Sequence, residues 1–244
     1  MSGPRRIGEV SFWYRDIGGA PAQRPPLDGD CTADVCIVGA GYTGLWTAYY
    51  LKKADPSLNV VIVERNFAGF GASGRNGGWL TGGFAWNHGR YLKDSSESAV
   101  RAMVGAMNGT VAEVLRVTEA EGIEADILPT DELMVATNTA QLIRMKEETE
   151  HRRHWGEEDR VFEISAEEAN ARVRVPGTLG GMLVRGVARV QPAKLVRGLA
   201  AVVEKLGVRI AEGTTVTGLG KGEVTTDRGI VRAPIILRCT EGFT

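Results

Sequence analysis

Gly39-Ala40-Gly41-Tyr42-Thr43-Gly44 sets three glycines at the spacing G-x-G-x-x-G, and an acid, Glu64, follows about twenty residues later. Each position has a chemical use. Gly39 permits a tight turn, Gly41 lets a pyrophosphate come against bare backbone, and Gly44 lets a helix pack closely on a strand, with the helix amino terminus facing the phosphates. A carboxylate at Glu64 can accept hydrogen bonds from both hydroxyls of an adenosine ribose. It also repels a 2′-phosphate, which disfavours NADP even with Arg65 adjacent. A dinucleotide is the expected ligand, and FAD and NAD both satisfy these residues.

A second glycine run separates the two. Gly69-Phe70-Gly71-Ala72-Ser73-Gly74-Arg75-Asn76-Gly77-Gly78 follows the ribose acid closely, an arrangement that NAD folds rarely need. Dense glycine lets main chain lie against a flat ring or an anion without side-chain interference. Ser73, Arg75 and Asn76 add donors for a pyrophosphate or for the polar edge of an isoalloxazine, and Ala72, Gly77 and Gly78 supply bare backbone beside them. A flexible linker would instead read as monotonous Gly and Ser. The loop holds no cysteine or histidine, so the expected FAD is non-covalent.

Other chemistry-bearing residues are weaker. Trp79, Trp86 and Tyr91 can wall a pocket for a cationic amine, or serve only as loop anchors and core. His151 and His154 have an i, i+3 spacing, but the intervening arginines argue for a solvated helix face over a metal site. No residue presents itself as a catalytic base.

These residues need elements to position them. Asp34 to Val38 reads as a short apolar strand, Leu45 to Ala54 as a helix ended by Asp55-Pro56, and Asn59 to Glu64 as a second strand. Together they make a βαβ unit, whose right-handed crossover leaves both strands parallel and buried. Further on, Ser95 to Gly122 and Thr139 to Trp155 have helical spacing, and Glu132 to Thr137 and Gly181 to Val184 read as strands. Ser165-Ala-Glu-Glu168 is a capping box. A helix runs from Pro192 to Gly207, followed by a strand Val208 to Ala211, a hairpin about Asp227-Arg228-Gly229, and the continuous apolar strand Ile235 to Leu237, expected at the centre of its sheet. The fold class is α/β: a Rossmann-like dinucleotide-binding domain with an inserted antiparallel-sheet substrate region. The expected division is an arm over 1–33, pinned by its aromatic residues, a cofactor domain over 34–85 and 188–244, and a substrate portion over 86–187.

Composition excludes several classes. With 29 basic and 30 acidic residues the net charge is −1, so no basic field exists to hold nucleic acid. The longest uncharged run, Val35 to Leu51, falls short of the ~20 residues of a membrane helix. The three cysteines form no C-x-x-C pair, which fits a reducing, cytoplasmic setting with no disulfide framework or zinc site. Glycine is the outlier, at 32 of 244 residues.

Asp34-Val-Cys-Ile-Val-Gly-Ala-Gly-Tyr-Thr-Gly44, the second glycine run and Cys239-Thr-Glu-Gly242 together resemble the FAD-dependent oxidoreductases of the D-amino-acid oxidase superfamily. The likeness runs from about Asp34 onward, and Ser-Gly-Arg-Asn-Gly-Gly is its most specific part. It implies that the first turn holds pyrophosphate, Glu64 the adenosine ribose, and the second loop the flavin. It also implies that Val216 meets the adenine through its backbone and that Thr240 to Gly242 pass near the pyrophosphate. The implied activity is oxidation of an amine or amino-acid C–N bond by hydride transfer, with a small-molecule amine as substrate. Gln191-Pro192 stands where the family often has His-Pro. Members usually continue well beyond the length of this chain, which implies a partner chain or further segment supplying the remainder. The alternatives are a truncated or accessory flavin-binding subunit without independent activity, and an NAD-dependent dehydrogenase, which would leave the second glycine run unexplained; by itself the chain is expected to bind FAD weakly or not at all.

Overall fold

A computed structural model of the chain describes residues 11–83 and 87–242. In chain order the elements are α1 (Phe12–Asp16), β1 (Cys31–Thr32), β2 (Val35–Val38), α2 (Tyr42–Ala54), β3 (Val60–Val63), β4 (Trp79–Leu80), α3 (His88–Leu92) and α4 (Glu97–Ala120). There follow β5 (Leu128–Ala136), α5 (Thr139–Arg152), β6 (Val161–Ile164), α6 (Ala166–Arg172), β7 (Gly180–Arg189) and α7 (Pro192–Lys205). The chain then continues as β8 (Arg209–Ala211), β9 (Val216–Gly220), β10 (Glu223–Thr226), β11 (Gly229–Arg232) and β12 (Ile235–Arg238). They assemble into two compact units, one of Met1–Gly78, Glu121–Asp126 and Gln191–Thr244, the other of Trp79–Ala120 and Ile127–Val190.

In the first unit a parallel sheet runs in the order β12-β2-β3-β8. Val35-Cys-Ile-Val38 and Val60-Val-Ile-Val63 are buried at every position, as strands covered on both faces must be. α2 begins at Tyr42, three residues before the apolar spacing first marks it, because polar Tyr42 and Thr43 carry no periodicity signal. α7 starts where Gln191 accepts the Lys194 N–H at 2.9 Å and Pro192 supplies a first-turn residue needing no donor. A second sheet, β1-β11-β10-β9, packs Leu27, Val224, Val231 and Ala233 against Cys36, Val38, Val61 and Val63 of the first.

One expectation fails here. Ile235 to Leu237 was to lie at the centre, yet β12 is an edge strand that pairs β2 on one side only among the described residues. Ile235 is 52% exposed, and Ile236 and Leu237 are half-buried. Apolar continuity cannot distinguish a strand with two neighbours from one with a single neighbour.

The second unit is an antiparallel sheet in the order β4-β7-β5, with β6 also on β7. Its core holds Ala136, Met145, Val161, Met182, Val184 and Val187. The Ser165 capping box forms as expected, with Ser165 Oγ accepting from Glu168 N and Glu168 Oε2 accepting from Ser165 N. β7 runs on to Arg189, well past Val184, and β6 has no forecast, because Val161-Phe-Glu-Ile164 is a four-residue run broken by Glu163 and carries too little apolar signal. α5 stops at Arg152 and passes into a wider turn, Arg153–Glu157, where Gly156 has φ 94°.

Candidate functional site

The first glycine turn leaves β2 beneath the end of β12. Gly39 has φ +106°, and a Cβ there would lie 2.6 Å from the Cys239 carbonyl oxygen, so both conformation and space demand glycine. Gly44 faces the Gly39 carbonyl at a distance that no side chain could share. The turn is then tied to the second glycine run. Gly69 N donates to Ala40 O at 2.9 Å, and Tyr42 N donates to Ser73 Oγ at 2.9 Å. A Cβ on Gly41 would sit 3.0 Å from Ser73 Oγ. The bare face of Gly41 therefore meets the Ser73 hydroxyl, which caps a first-turn amide of α2 and keeps its own proton to donate.

Glu64 closes the other side. Its two carboxylate oxygens accept from Ala40 N at 3.0 Å and Asn66 N at 2.9 Å, and each oxygen retains a further lone pair. Beside it opens a cavity of about 500 Å³, inside the range of roughly 300–1,000 Å³ usual for small-molecule sites. Six residues singled out in the sequence line it: Gly39, Glu64, Arg65, Val216, Thr240 and Gly242. They come from four separate stretches of chain. Phe70 and Gly71, from the second glycine run, line it too, with Asn66, Thr214 and Thr215, whose types gave no signal beforehand.

The remaining singled-out residues lie outside that cavity. Ala40, Gly41, Tyr42, Thr43 and Gly44 form the turn and the start of α2. The Tyr42 hydroxyl donates to Pro192 O at 3.2 Å, and burial raises its pKa. Ser73, with Ala72, is part of the 3-10 turn Ala72–Gly74. Arg75 Nε donates to Gly71 O, and its guanidinium lies 5.2 Å over the Phe70 ring. The Asn76 amide is spent on its own loop, donating to Ser73 O at 3.0 Å and accepting from Gly78 N at 2.9 Å. Gly77 is exposed and Gly78 buried. In the second unit Trp79 is 73% exposed and Tyr91 39%, so neither forms an enclosed wall; Trp86 lies outside the described residues. His151 Nε2 lies 2.9 Å from His88 Nδ1, and His154 lies 3.8 Å from Glu97.

Burial raises the Glu64 pKa above the usual carboxylate value, opposed by the two amides it accepts and reinforced by the Glu212 charge. The sign follows from linkage. A carboxyl that holds its proton more tightly when folded contributes stability that is fully present below its unfolded pKa and lost as pH rises through the folded value. The denaturation midpoint of the wild-type chain, measured from acid to neutral pH, should therefore carry a falling contribution that Glu64→Ala lacks. Parallel pH profiles for the two chains would contradict this.

The donor set thus suits a dinucleotide: two acceptors beside the cavity, a hydroxyl and amides at a helix start, and bare backbone at Gly71, where a Cβ would meet nothing within 4 Å. A family model described as FAD dependent oxidoreductase matches residues 34–244. The chain belongs to that family. Gamma-glutamylputrescine oxidoreductase of Escherichia coli (strain K12) is 32% identical over 233 residues, covering 91% of this chain and 54% of that protein. The beta subunit of sarcosine oxidase from Rhizobium meliloti (strain 1021) is 51% identical over 57 residues, 23% of this chain and 14% of that one. Among solved structures, glycine oxidase from Geobacillus kaustophilus superposes with a TM-score of 0.72 at 22% identity, covering 85% of this chain and 55% of that one. The chain spans about half the length of the relatives it matches over most of its own length.

Two features of this family member were not foreseen from its sequence. Gln191 caps α7 through its Oε1 and holds the arm through its Nε2, which donates to Trp13 O at 2.8 Å. Glu212, fully buried, gathers Arg24 N, Ala68 N and the guanidinium groups of Arg24 and Arg197. A lone acid after a strand gives no signal of that role.

Proposed function

We propose that the first unit holds FAD non-covalently, and that the protein uses it to oxidise a primary or secondary amine or an amino acid at its C–N bond. One observation carries this reading: Gly39, Glu64, Arg65, Val216, Thr240 and Gly242, brought from distant parts of the chain, line one cavity beside a helix start. Glu64 would accept the ribose hydroxyls, Val216 would border the adenine, and the Gly41–Gly44 turn with Ser73 would face the phosphates. Arg75 to Gly78 would flank the ring system. Bound flavin supplies an acceptor for the hydride on the carbon next to the amine nitrogen. The second unit serves as the substrate portion in this reading, and the setting is the cytoplasm.

A second reading is favoured by the 54% coverage of the Escherichia coli relative and by the likeness to a protein named as a subunit. In it the chain contributes part of a cofactor site and a partner polypeptide contributes the rest. Anaerobic addition of amines to the FAD-loaded chain, alone and after co-expression with a polypeptide matching the remaining half of the relatives, tests both. Bleaching of the oxidised-flavin band by an amine is expected, and bleaching that requires the second polypeptide selects the subunit reading. A flavin-loaded preparation that no amine bleaches, with or without the partner, would rule out the amine activity.

A further inference from the structure

Asn66 to Asn76 is held from behind by a segment that the family match leaves out. That match begins at Asp34, yet residues 13–24 touch the loop at successive points. Gln23 Nε2 donates to Asn66 O at 2.8 Å, and Trp13 Nε1 donates to Asn76 O at 2.7 Å. Between them Arg24 N and Ala68 N both donate to the buried Glu212 carboxylate. Tyr14 is 0% exposed, packed edge-on against Phe67 with ring centroids 5.2 Å apart. Its hydroxyl occupies the space that a Cβ on Gly74 would need and lies 2.8 Å from the Cβ position of Gly69. Gly74 thus makes room for this tyrosine and for the Gly69 carbonyl, and Gly69, at φ +84°, for Val196 and the tyrosine hydroxyl, whereas sequence alone attributes the glycine density to ligand approach.

We infer that Trp13 and Tyr14 are positioning residues, which fix the Gly69–Gly78 loop in the shape that receives the cofactor. The inference rests on the FAD reading above. The loop's other bonds tie its near part to the first turn, Gly69 N to Ala40 O and Tyr42 N to Ser73 Oγ, and its far part mainly to itself through the Asn76 amide. Its glycines lose more conformational freedom on ordering than any other residue, so the arm's contacts add restraint where the run would otherwise fluctuate. The buried tyrosine ring fills the loop's interior side, and the indole N–H fixes its far end at Asn76. Gln191 Nε2 in turn anchors the arm by donating to Trp13 O. Restraint of the loop before the ligand arrives lowers the ordering cost of binding.

Amide hydrogen exchange on the flavin-free chain, paired with FAD titration, tests this. Trp13→Phe keeps an aromatic ring but removes the indole N–H with part of the ring, and losing the hydrogen bond should speed exchange of the 74–78 amides about fivefold. FAD affinity should fall by a similar factor, with the β2 and β3 amides unchanged. Tyr14→Ala should loosen the whole 69–78 segment further, and Trp13→Phe still gives the answer where that variant does not fold. Unchanged loop exchange in Trp13→Phe, with FAD affinity at the wild-type value, would overturn the inference and leave the cofactor reading standing. A loosened loop in a protein whose wild type takes up no FAD would remove the cofactor reading and leave the mechanical coupling intact.

Discussion

Replacing Gly41 with valine is expected to weaken FAD binding at least about tenfold, the largest effect on the ligand of any single change at the turn. The Cβ would sit 3.0 Å from Ser73 Oγ, and two further methyl groups must be placed over the start of α2. Overpacking of this kind costs about 1–3 kcal/mol, and about 1.4 kcal/mol is a tenfold change in an equilibrium constant. The Tyr42 N–H to Ser73 Oγ bond joins the two glycine segments, so it is the contact forced apart. Gly41→Ala meets only a flexible side chain and should have a smaller effect, which Ser73→Ala in the same chain should partly relieve. Fluorescence titration of the variants with FAD is the measurement. Equal affinity for wild type and Gly41→Val would mean that the phosphates lie elsewhere.

The largest effect on stability is expected at Glu212. Its side chain is fully buried and accepts from Arg24 N at 2.7 Å, Ala68 N at 2.8 Å, Arg24 Nη1 at 2.8 Å and Arg197 Nη1 at 3.2 Å. Glu212→Ala would leave two guanidinium groups, one of them still paired with Glu204, and two amides without this acceptor. Breaking a buried ion pair from one side costs about 3–5 kcal/mol, and the lower end applies because the arginines keep some solvent contact. A urea midpoint shift equivalent to about 3 kcal/mol is expected. A shift equivalent to under about 1 kcal/mol would show that water replaces the carboxylate and that the cluster does not hold the arm.

How much of this was legible beforehand depends on the kind of signal each residue gives. The βαβ unit was readable because β-branched runs, a glycine turn and a helix stop succeed one another over a short span. The loop at Gly69–Gly78 was readable as exceptional, though not what its glycines accommodate: Gly69 and Gly74 face Tyr14, a contact across more than fifty positions that no local pattern encodes. β12 was placed at the sheet centre from its apolar sequence, whereas pairing alone decides centre or edge, and Ile235 is half exposed. Asn66, Thr214 and Thr215 line the cavity through position, not type. The arm was read as a strap pinned by aromatics, and its hydrogen bonds to the loop needed coordinates.

Titration of the wild-type chain with FAD, with ADP, FMN and NAD as competitors, tests the central claim most directly. Saturable one-to-one binding of FAD is predicted, weak in the isolated chain, displaced by ADP because the proposed site would hold the adenosine half beside Glu64, and displaced poorly by FMN, which lacks that half. The absence of saturable FAD binding both in the isolated chain and after co-expression with a polypeptide matching the remaining half of the relatives, or a preference for NAD over FAD, would contradict the account.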